Sequence, residues 1–524
     1  MPSIDINDMG SIGLVRDQPP HQLQPEAWDF ILNARILDAS LQRLRGKQRI
    51  LIGSPAGPPA APLFALHISS SSSIFWLVYT ATGVVYAFNG ATWTSLGTLA
   101  TVEPEAINAT ILGGVPIINN GSGIPQFWGL PYSVVTPLAA LTNWPATLRA
   151  KIIRAFGPYL IAMNTTDTGT GVNTPHRIRW SHPADPGALP ISWDITDPTK
   201  DAGQIELPDV ESGIILDGLG LQGRFYVYKQ NAVWRMRPVK GRFIFDQEVF
   251  LETIGILSTR CVDLTADGMG HVFAGQDNIW MHDGNKAIPL LDAKMKRSLF
   301  ASIDPAAPHK SFLFTNPGQD ETWFCYAETG STIANKALII KQKSPFQCVT
   351  ADIDFVHAAK GVAEITDTAT WDVATYGWDS TANVWGTTSG GRRIVVSNRA
   401  ATKMQLLDAG SDNDGTAITA TVQRTGLSVV GRKRNGEWIV DFQQRKLLTR
   451  VWPKVTGGTV MVRAGSAQTP EGAVTWQPSQ SFDPTTQRYV DFITEGPSLA
   501  IEFSGTSLWK LDGYKIDLEL TGNF

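Results

Sequence analysis

The sequence feature closest to a cofactor-binding signature is a glycine-rich motif, GLGLQG at residues 218–223. In a dinucleotide site this spacing lies between a strand and a helix, so that the helix N-terminus faces the pyrophosphate. Here residues 224–228, RFYVY, follow the motif and are typical of a strand. The pattern therefore predicts a tight turn between two strands and no bound cofactor.

Other residues with chemical potential lack the spacing of a known site. A polar loop at residues 412–415, DNDG, has no glutamate at the twelfth position to close a calcium site. No serine has glycine at both −2 and +2, and residues 46–47, GK, lack the rest of a phosphate-binding loop. Two histidine pairs have neither helical metal spacing nor cysteines beside them: His176 with His182, and His271 with His282. We predict satisfied or surface histidines, and no catalytic, cofactor or metal residue.

Basic residues cluster at three places, residues 43–49, 294–297 and 432–434. Such clusters are most often solvated loops. The functional alternative is electrostatic docking onto an acidic neighbour or onto a nucleic-acid backbone. Nothing in them resembles sequence-specific base readout.

The composition limits the classes of protein to consider. The 524 residues exceed what one hydrophobic core organises, so we expect several domains or one large repeat architecture. The hydrophobic fraction of 43% excludes global disorder, and charged residues make up only 18%. A net charge of −4 argues against a general polyanion binder, although not against a protein past which DNA slides.

Three cysteines, Cys261, Cys325 and Cys348, are too few for a disulfide framework and predict reduced thiols. The first 20 residues show no secretory signal. The most apolar stretch, residues 74–88, is too short to span a bilayer. We therefore expect a soluble protein without membrane contact.

The elements that must position these residues are almost all strands. One stretch, residues 25–32 (PEAWDFIL), has the early proline, the acid and the apolar residues of a short helix, and residues 291–299 are a weaker candidate. Elsewhere short runs of β-branched and aromatic residues are bounded by turn formers. The chain is predicted to be all-β.

Repeated hairpin patterns indicate the architecture. Residues 84–90, VVYAFNG, and 278–284, NIWMHDG, share a template, and residues 232–236 and 383–386 are looser relatives. Asn-Gly and Asp-Gly favour type I′ hairpin turns. Several such hairpins predict the blades of a β-propeller, with hairpins in unrelated sandwiches as the alternative.

The last hundred or so residues follow a different pattern. Residues 514–520 alternate between apolar and charged, and residues 446–452 and 459–463 are further strands. The predicted organisation is an N-terminal segment with a short helix over residues 1–50, a β-propeller over 51–412, and a β-sandwich-like platform domain over 413–524. The polar loop at residues 411–415 is the expected boundary.

A series of short sequence motifs resembles those of the tail nozzle family of short-tailed double-stranded DNA bacteriophages. These are the tail tubular protein B-like or packaged DNA stabilisation proteins. The similarity covers most of residues 10–300. The motifs are GLVRD at 13–17, HQL at 21–23, PEAW at 25–28, NAR at 33–35, LRG at 44–46, RIRWS at 177–181, FYVYK at 225–229 and HDG at 282–284. Most of them are turns and blade aromatics, so they indicate an architecture more than an activity.

The resemblance implies a structural virion protein without enzymatic activity or cofactor, made in the host cytoplasm and located in the tail. It implies a hexameric ring below the portal and its head-to-tail adaptor protein, with tail fibres or spikes outside. Double-stranded DNA would be retained by the lumen and later conducted through it during ejection, without sequence specificity. Assembly contacts are predicted at these residues: Trp28, Arg43, Arg45, Lys47 and Arg49.

The alternative is a β-propeller glycosidase or a glycan-binding tail protein that acts on a host surface polysaccharide. A glycosidase needs two carboxylates about 5–10 Å apart. The candidates are Asp277, Asp283, Asp372 and Asp379, with Trp371, Trp378 and Trp385 available to stack on sugar rings. The seven-residue spacing of these tryptophans fits blade packing at least as well.

Overall fold

The computed structural model describes residues 3–50, 57–69, 74–89, 92–129, 132, 136–239, 244–292, 294–363, 392–399, 402–434 and 436–523. The N-terminal segment forms seven short strands: β1 (Ser3–Asn7), β2 (Gly13–Leu14), β3 (Ala27–Trp28), β4 (Phe30–Leu32), β5 (Ala34–Leu37), β6 (Ser40–Arg43) and β7 (Lys47–Arg49). These strands pair with elements from both the middle and the end of the chain.

The middle of the chain, together with β7, forms seven four-stranded antiparallel blades of a β-propeller. Six blades are separate sheets, and blade 6 is part of a ten-stranded sheet. Blade 1 is β8 (Pro62–Ser69), β9 (Ile74–Thr80), β10 (Val84–Phe88) and β11 (Trp93–Thr98). Blade 2 is β12 (Asn108–Leu112), β13 (Val115–Asn119), β14 (Gln126–Phe127) and β15 (Ala139–Ala140). Blade 3 is β16 (Leu148–Phe156), β17 (Tyr159–Asp167), β18 (Val172–Trp180) and β19 (Gly203–Glu206).

The remaining blades follow in chain order. Blade 4 is β20 (Ile215–Leu221), β21 (Arg224–Lys229), β22 (Ala232–Pro238) and β23 (Phe245–Glu252). Blade 5 is β24 (Val262–Leu264), β25 (His271–Ala274), β26 (Ile279–His282) and β27 (Ala287–Pro289), followed by helix α1 (Lys296–Ser302). Blade 6 is β28 (Phe312–Asn316), β29 (Glu321–Tyr326), β30 (Lys336–Lys341) and β31 (Cys348–Asp352). Blade 7 is β32 (Phe355–Val362), β33 (Arg392–Asn398), β34 (Lys403–Leu407) and the N-terminal strand β7.

The propeller closes through a strand from the other end of the chain. From blade 2 to blade 7 the first strands of neighbouring blades contact one another, and β32 of blade 7 lies against β8 of blade 1. Blade 7 is completed by β7, where Lys47 pairs with Leu407 and Arg49 with Gln405. The all-β propeller predicted from the hairpins is therefore confirmed.

The C-terminal strands form a two-sheet sandwich with the N-terminal segment. They are β35 (Ala420–Leu427), β36 (Val429–Arg432), β37 (Trp438–Val440), β38 (Gln444–Gly457), β39 (Val460–Ala467), β40 (Thr475–Trp476), β41 (Gln480–Phe482), β42 (Val490–Gly496), β43 (Ser498–Gly505) and β44 (Trp509–Asn523). One sheet runs β42-β38-β44-β6-β5 with β1 on β44. The other continues blade 6 through a parallel contact of β31 with β4 and then runs β35-β43-β39.

The helix predicted at residues 25–32 is wrong. These residues form β3 and β4, and Trp28 and Ile31 are buried in the common core. The local helix preference is overridden by two partner strands that the sequence places hundreds of residues away, β31 and β35. The weaker candidate at 291–299 overlaps the observed helix, which begins five residues later at Lys296.

The predicted hairpins are present, but their turns differ from the prediction. Phe88 pairs with Trp93 and His282 with Ala287, so four residues separate each pair instead of two. The Asp283 carboxylate accepts a backbone hydrogen bond from Asn285 at 2.9 Å and thereby shapes one loop. The two-residue turn with positive φ occurs at residues 222–223, inside the GLGLQG motif, which confirms a tight turn there.

Candidate functional site

A cleft of about 380 Å³ lies where the propeller meets the sandwich, and we call it the junction cleft. Its walls come from the N-terminal segment, from the connection between blades 6 and 7, and from the link into the sandwich. Lining residues include Asn33, Arg45, Lys47, Trp323, Asp352, Phe355, Asn413 and Thr419. This cleft contains two of the five residues predicted as assembly contacts.

Asn33 ties the walls of the junction cleft together. Its backbone adopts a left-handed conformation, with φ of 56°, which asparagine tolerates better than most residues. The side-chain amide donates to the Asp352 carboxylate at 3.2 Å and to the Thr419 carbonyl at 3.0 Å, and its oxygen accepts from the Asp352 backbone at 2.8 Å. One side chain therefore joins the edge of blade 6 to the link that enters the sandwich.

Lys47 and Arg45 line the junction cleft and Arg49 does not, and the three cations differ in how they are neutralised. Lys47 is buried and pairs with Asp354, and burial lowers the pKa of its ammonium. Arg49 pairs with Asp414 at 2.8 Å. Arg45 is exposed and makes no ion pair with any residue that the structure describes. The cleft therefore offers one unpaired guanidinium, a group suited to a carboxylate or phosphate of a partner.

A buried set of charges, which we call the junction ion cluster, lies near the cleft. Arg35 of β5 contacts Glu321 of blade 6 at 2.8 Å and Asp408, just after blade 7, at 2.7 Å; Lys341 lies 3.2 Å from Glu321. Burial opposes the charge on Arg35, but Glu321 and Asp408 raise the pKa of its guanidinium above the ordinary value. Burial also raises the pKa of Glu321, against the effect of Arg35 and Lys341.

Three of the predicted assembly contacts, Trp28, Arg43 and Lys47, are buried within the chain. Trp28 is 1% exposed, donates its indole hydrogen to the Met9 carbonyl at 2.9 Å, and packs against the aromatic rings of β43 and β44. The Arg43 guanidinium donates to three backbone carbonyls within the fold. Lys47 is also buried, at 5% exposure, so these three side chains offer little surface to a neighbouring subunit. Arg45 and Arg49 are exposed, so for them the prediction stands untested.

A second buried polar group, the Tyr–His–His cluster, joins blades 4 and 5. The Tyr228 hydroxyl lies 2.8 Å from His271 Nδ1 and 2.7 Å from His282 Nε2. His282 Nδ1 accepts from the Gly284 backbone, so its Nε2 carries the hydrogen and donates to Tyr228. His271 Nε2 lies 3.3 Å from the Gly220 carbonyl and donates to it, so Nδ1 accepts from Tyr228.

This chain of donors satisfies both imidazoles in the neutral form. Burial lowers the pKa of His271 to about 4 and that of His282 to about 3. The prediction of satisfied histidines is confirmed for this pair. Among the described residues no three His, Cys, Asp or Glu side chains are grouped to hold a metal ion.

Of the four aspartates considered for a glycosidase, two are described by the structure, Asp277 and Asp283, and they do not line a common cleft. Asp283 lines a cleft of about 290 Å³ between blades 5 and 6 together with Asp267 and Asp320, whereas Asp277 pairs with Lys296 at 2.9 Å and does not line that cleft. Backbone hydrogen bonds from residues 285 and 286 lower the pKa of Asp283, and hydrogen bonds from Thr265 and residue 269 lower that of Asp267. A general acid needs a raised pKa, so these two groups are poorly suited to that role.

The other acids and the tryptophans of that alternative lie outside the described residues: Asp372, Asp379, Trp371, Trp378 and Trp385. The hairpin predicted at 383–386 lies there too. No helix among the described residues is long and apolar enough to cross a bilayer.

Comparisons with known proteins found no matching family model and no matching curated protein. Solved structures with some similarity include a quinonprotein alcohol dehydrogenase-like protein from Bacteroides thetaiotaomicron (13% identity, TM-score 0.34), where the match spans 55% of this chain and only 65% of the other. The WD40 β-propeller domain of Doa1 (8% identity, TM-score 0.38) matches over 69% of this chain and 96% of its own length.

The β-propeller domain of Cps50 (Swd1) from Myceliophteria thermophila is similar at 9% identity and a TM-score of 0.39, over 70% of this chain and 99% of its own length. Because all three TM-scores are below 0.5, the assignment of seven blades rests on the strand pairing of this chain. These likenesses say nothing about activity.

Proposed function

We propose that this chain is a structural tail protein of a short-tailed double-stranded DNA bacteriophage, a nozzle that forms a ring below the portal and adaptor. In this role it retains packaged DNA and conducts it during ejection, in a virion tail assembled in the host cytoplasm. The observation that carries the proposal concerns the N-terminal stretch that resembles nozzle proteins. The same stretch builds the joint between the propeller and the sandwich.

The motif residues act at successive points of that joint. The Asp17 carboxylate accepts hydrogen bonds from the backbone of residues 297 and 298 at the start of α1. The Arg424 guanidinium of β35 donates to the carbonyls of Pro20 and Leu23. Further along, Asn33 and Arg35 hold the ends of blades 6 and 7 as described above. The motif residues thus fix how the propeller and the sandwich are joined. Such a purely architectural role fits a structural virion protein.

Gly46 shows how tightly the joint is specified. A Cβ atom built on it would lie 1.7 Å from the carbonyl oxygen of Asp412. No side chain fits at this position, where the chain passes from the sandwich into blade 7. The glycine of the LRG motif is therefore required by the close approach of two chain segments, and this requirement supports the motif as a signature of architecture.

The charge of the chain supports a conduit more than a binder of DNA. Six copies of a chain with net charge −4 carry about −24 in a ring. A net-negative tube repels phosphates and so favours sliding over retention by contact. The lumen potential of an assembled ring is the direct test, and a strongly positive wall would overturn this part of the proposal.

The assembly itself is tested by imaging the purified chain alone and mixed with a candidate adaptor ring. A six-fold ring with an axial channel is the expected result. A chain that stays monomeric in both samples at micromolar concentration would overturn the nozzle proposal. A depolymerisation assay on host-surface polysaccharide tests the alternative of a glycosidase on the same preparation, because a nozzle releases no oligosaccharide.

The contribution of the exposed junction cations is tested by Arg45→Ala and Arg49→Ala rather than by truncation. Deleting residues 1–50 would remove β7 from blade 7 and four strands from the sandwich sheets, so loss of assembly would report only misfolding. The two point variants leave the core intact. If both rings form and bind the adaptor as the wild type does, Arg45 and Arg49 are not assembly contacts.

A further inference from the structure

Blade 3 carries a long acidic loop, residues 181–202, between its third and fourth strands, β18 and β19. It contains four aspartates and one lysine: Asp185, Asp194, Asp197, Asp201 and Lys200. None of these aspartates forms an ion pair with a residue that the structure describes. We call this element the acidic loop.

The acidic loop is held in a fixed shape. Its Trp193 is buried and meets the ring of Trp144 with centroids 4.6 Å apart, while the carboxylates of Asp194 and Asp197 accept hydrogen bonds from residues 196 and 199. On either side of the buried tryptophan, Ile191 is 59% and Ile195 is 40% exposed. The loop therefore presents two aliphatic side chains among negative charges at little conformational cost.

The sandwich carries an element of opposite charge, the hairpin of β36 and β37, which pairs with no larger sheet. Its tip holds Arg432, Lys433 and Arg434 against one acid, Glu437, which lies 3.0 Å from Lys433. The Arg432 guanidinium sits over the Trp438 ring at 4.7 Å. We call this element the basic hairpin.

The basic hairpin also exposes aliphatic surface. Ile439 is 41% and Val440 is 47% exposed, directly beyond the basic tip. Arg434 makes no ion pair with any described residue. Exposed aliphatic groups beside unpaired charges are typical of the buried centre and charged rim of protein interfaces.

Blade 3, which carries the acidic loop, and the joint that carries the sandwich lie on opposite sides of the propeller ring. The sandwich is joined to blades 6 and 7, and blade 3 is three blades away from this joint in either direction around the seven-bladed ring. The acidic loop and the chain's exit toward the sandwich lie on the same face of the propeller. The acidic loop follows a third strand, and the chain leaves for the sandwich after β34, the third strand of blade 7. This separation makes a contact between neighbouring copies the relevant one to consider.

We propose that the basic hairpin of each copy docks on the acidic loop of the next copy, forming the repeated contact of a closed ring. Opposite charges set the orientation, and the exposed isoleucines and Val440 supply the apolar contact. A head-to-tail contact of two different surfaces generates a ring when the rotation closes. The inference rests on the proposed function, since it names the subunit contact within the nozzle ring.

The test reverses the charges on each side separately and then together. One variant is Lys433→Glu/Arg434→Glu, and the other is Asp185→Lys/Asp194→Asn/Asp197→Asn, in which asparagine preserves the turn-capping oxygens. Sedimentation velocity on the full-length chain measures the concentration at which rings dissociate. Each variant alone is expected to raise it about tenfold or more, because like charges then face each other.

Two samples are expected to restore assembly: a chain carrying both sets of changes, and an equimolar mixture of the two variants, which can form only an alternating ring. The matched control is Arg224→Glu/Lys286→Glu, which changes the net charge as much as the hairpin variant does, at exposed residues without ion pairs. The control is expected to assemble like the wild type. Circular dichroism and thermal unfolding confirm that each variant is folded.

The outcomes separate the inference from the function it rests on. A wild-type chain that never forms a ring overturns the proposed function and this contact together. Rings that form in the wild type and persist in both charge variants overturn the contact alone. Disruption without rescue in either the combined chain or the mixture also contradicts it, because complementarity is the basis of the proposal.

Discussion

Two buried polar groups among the described residues, the Tyr–His–His cluster and the junction ion cluster, are stabilised in opposite ways. The Tyr–His–His cluster, between two blades, is neutral, and each hydrogen has one acceptor. The junction ion cluster, between the N-terminal segment and the last two blades, is built from charges, with Arg35 against Glu321 and Asp408. The cluster between these two blades is neutral, whereas at the joint charges hold separate parts of the chain together.

The two groups differ because they join parts of the chain that lie at different distances along the sequence. Neighbouring blades are already aligned by strands that follow one another in the chain, so a neutral network only has to fill the space between them. The joint brings together residues hundreds of positions apart, and a buried charge left without its partner is strongly unfavourable. The ion cluster therefore discriminates against any other arrangement of the joint.

The largest effect is expected for Arg35→Met, which leaves Glu321 and Asp408 without their shared cation. Breaking a buried pair in this way costs about 3–5 kcal/mol, measured as the loss in the free energy of unfolding by urea. The control is Lys343→Met, whose side chain is 81% exposed and pairs with Asp320 at 2.6 Å. Equal stability of the two variants would contradict the importance of the ion cluster.

The next effect concerns acid. His271 and His282 have pKa values lowered to about 4 and 3, below the usual value of about 6.5. Their contribution to stability is complete above pH 6.5 and is lost as the pH falls toward 4, because the unfolded chain then binds more protons. For His271 alone the loss approaches roughly 3 kcal/mol.

The measurement is the thermal midpoint between pH 7.5 and 4. His357 is half-buried and also has its pKa lowered to about 3, so it adds in the same direction, and the wild type is therefore compared with His282→Gln. The variant is expected to lose less stability on acidification than the wild type does. Parallel pH curves for the two proteins would rule out the cluster as a source of acid sensitivity.

A smaller effect is expected for Tyr228→Phe, which removes the hydroxyl shared by the two histidines. The His282 donor and the His271 acceptor then remain buried without partners, at a cost of about 1–3 kcal/mol. The matched control is Tyr489→Phe, because Tyr489 is 38% exposed. Chemical denaturation of both variants decides the matter, and a loss no greater than that of the control would disprove the donor chain.

The smallest effect is expected at the sandwich surface. Arg450 pairs with Asp491 at 2.8 Å, with side chains 46% and 66% exposed. Asp491→Asn should change the free energy of unfolding by less than about 1 kcal/mol, and high salt should remove the difference. A loss as large as that of Arg35→Met would show that burial is not what separates the two kinds of ion pair.

The sequence predicted the repeated elements better than their connections. Hairpins at residues 84–88 and 279–282, the tight turn at 222–223 and the C-terminal strands all follow from local alternation and turn residues, and they are present. The completion of blade 7 by β7 was not predictable, because Lys47 pairs with Leu407 and no local pattern links them. The same reason explains the incorrect helix at 25–32.

The site was predicted only in part. The basic run at 43–49 does mark the joint, but its pattern of charge could not show that Arg43 and Lys47 point inward to carbonyls and to Asp354 while Arg45 faces solvent. The junction ion cluster joins Arg35 to Glu321 and Asp408, and no sequence spacing indicates such partners. Exposure and distant pairing depend on the completed fold.

Strand β7 is synthesised long before β34, the strand with which it pairs in blade 7. Lys47–Arg49 leave the ribosome early, but their pairing strand β34 emerges about 350 residues later, which takes about 20 to 70 s at ordinary rates of translation. Throughout that interval the nascent chain holds open blades and exposed apolar strands such as β3 and β4. Shielding of these edges until β34 is made therefore becomes a requirement for native folding during synthesis.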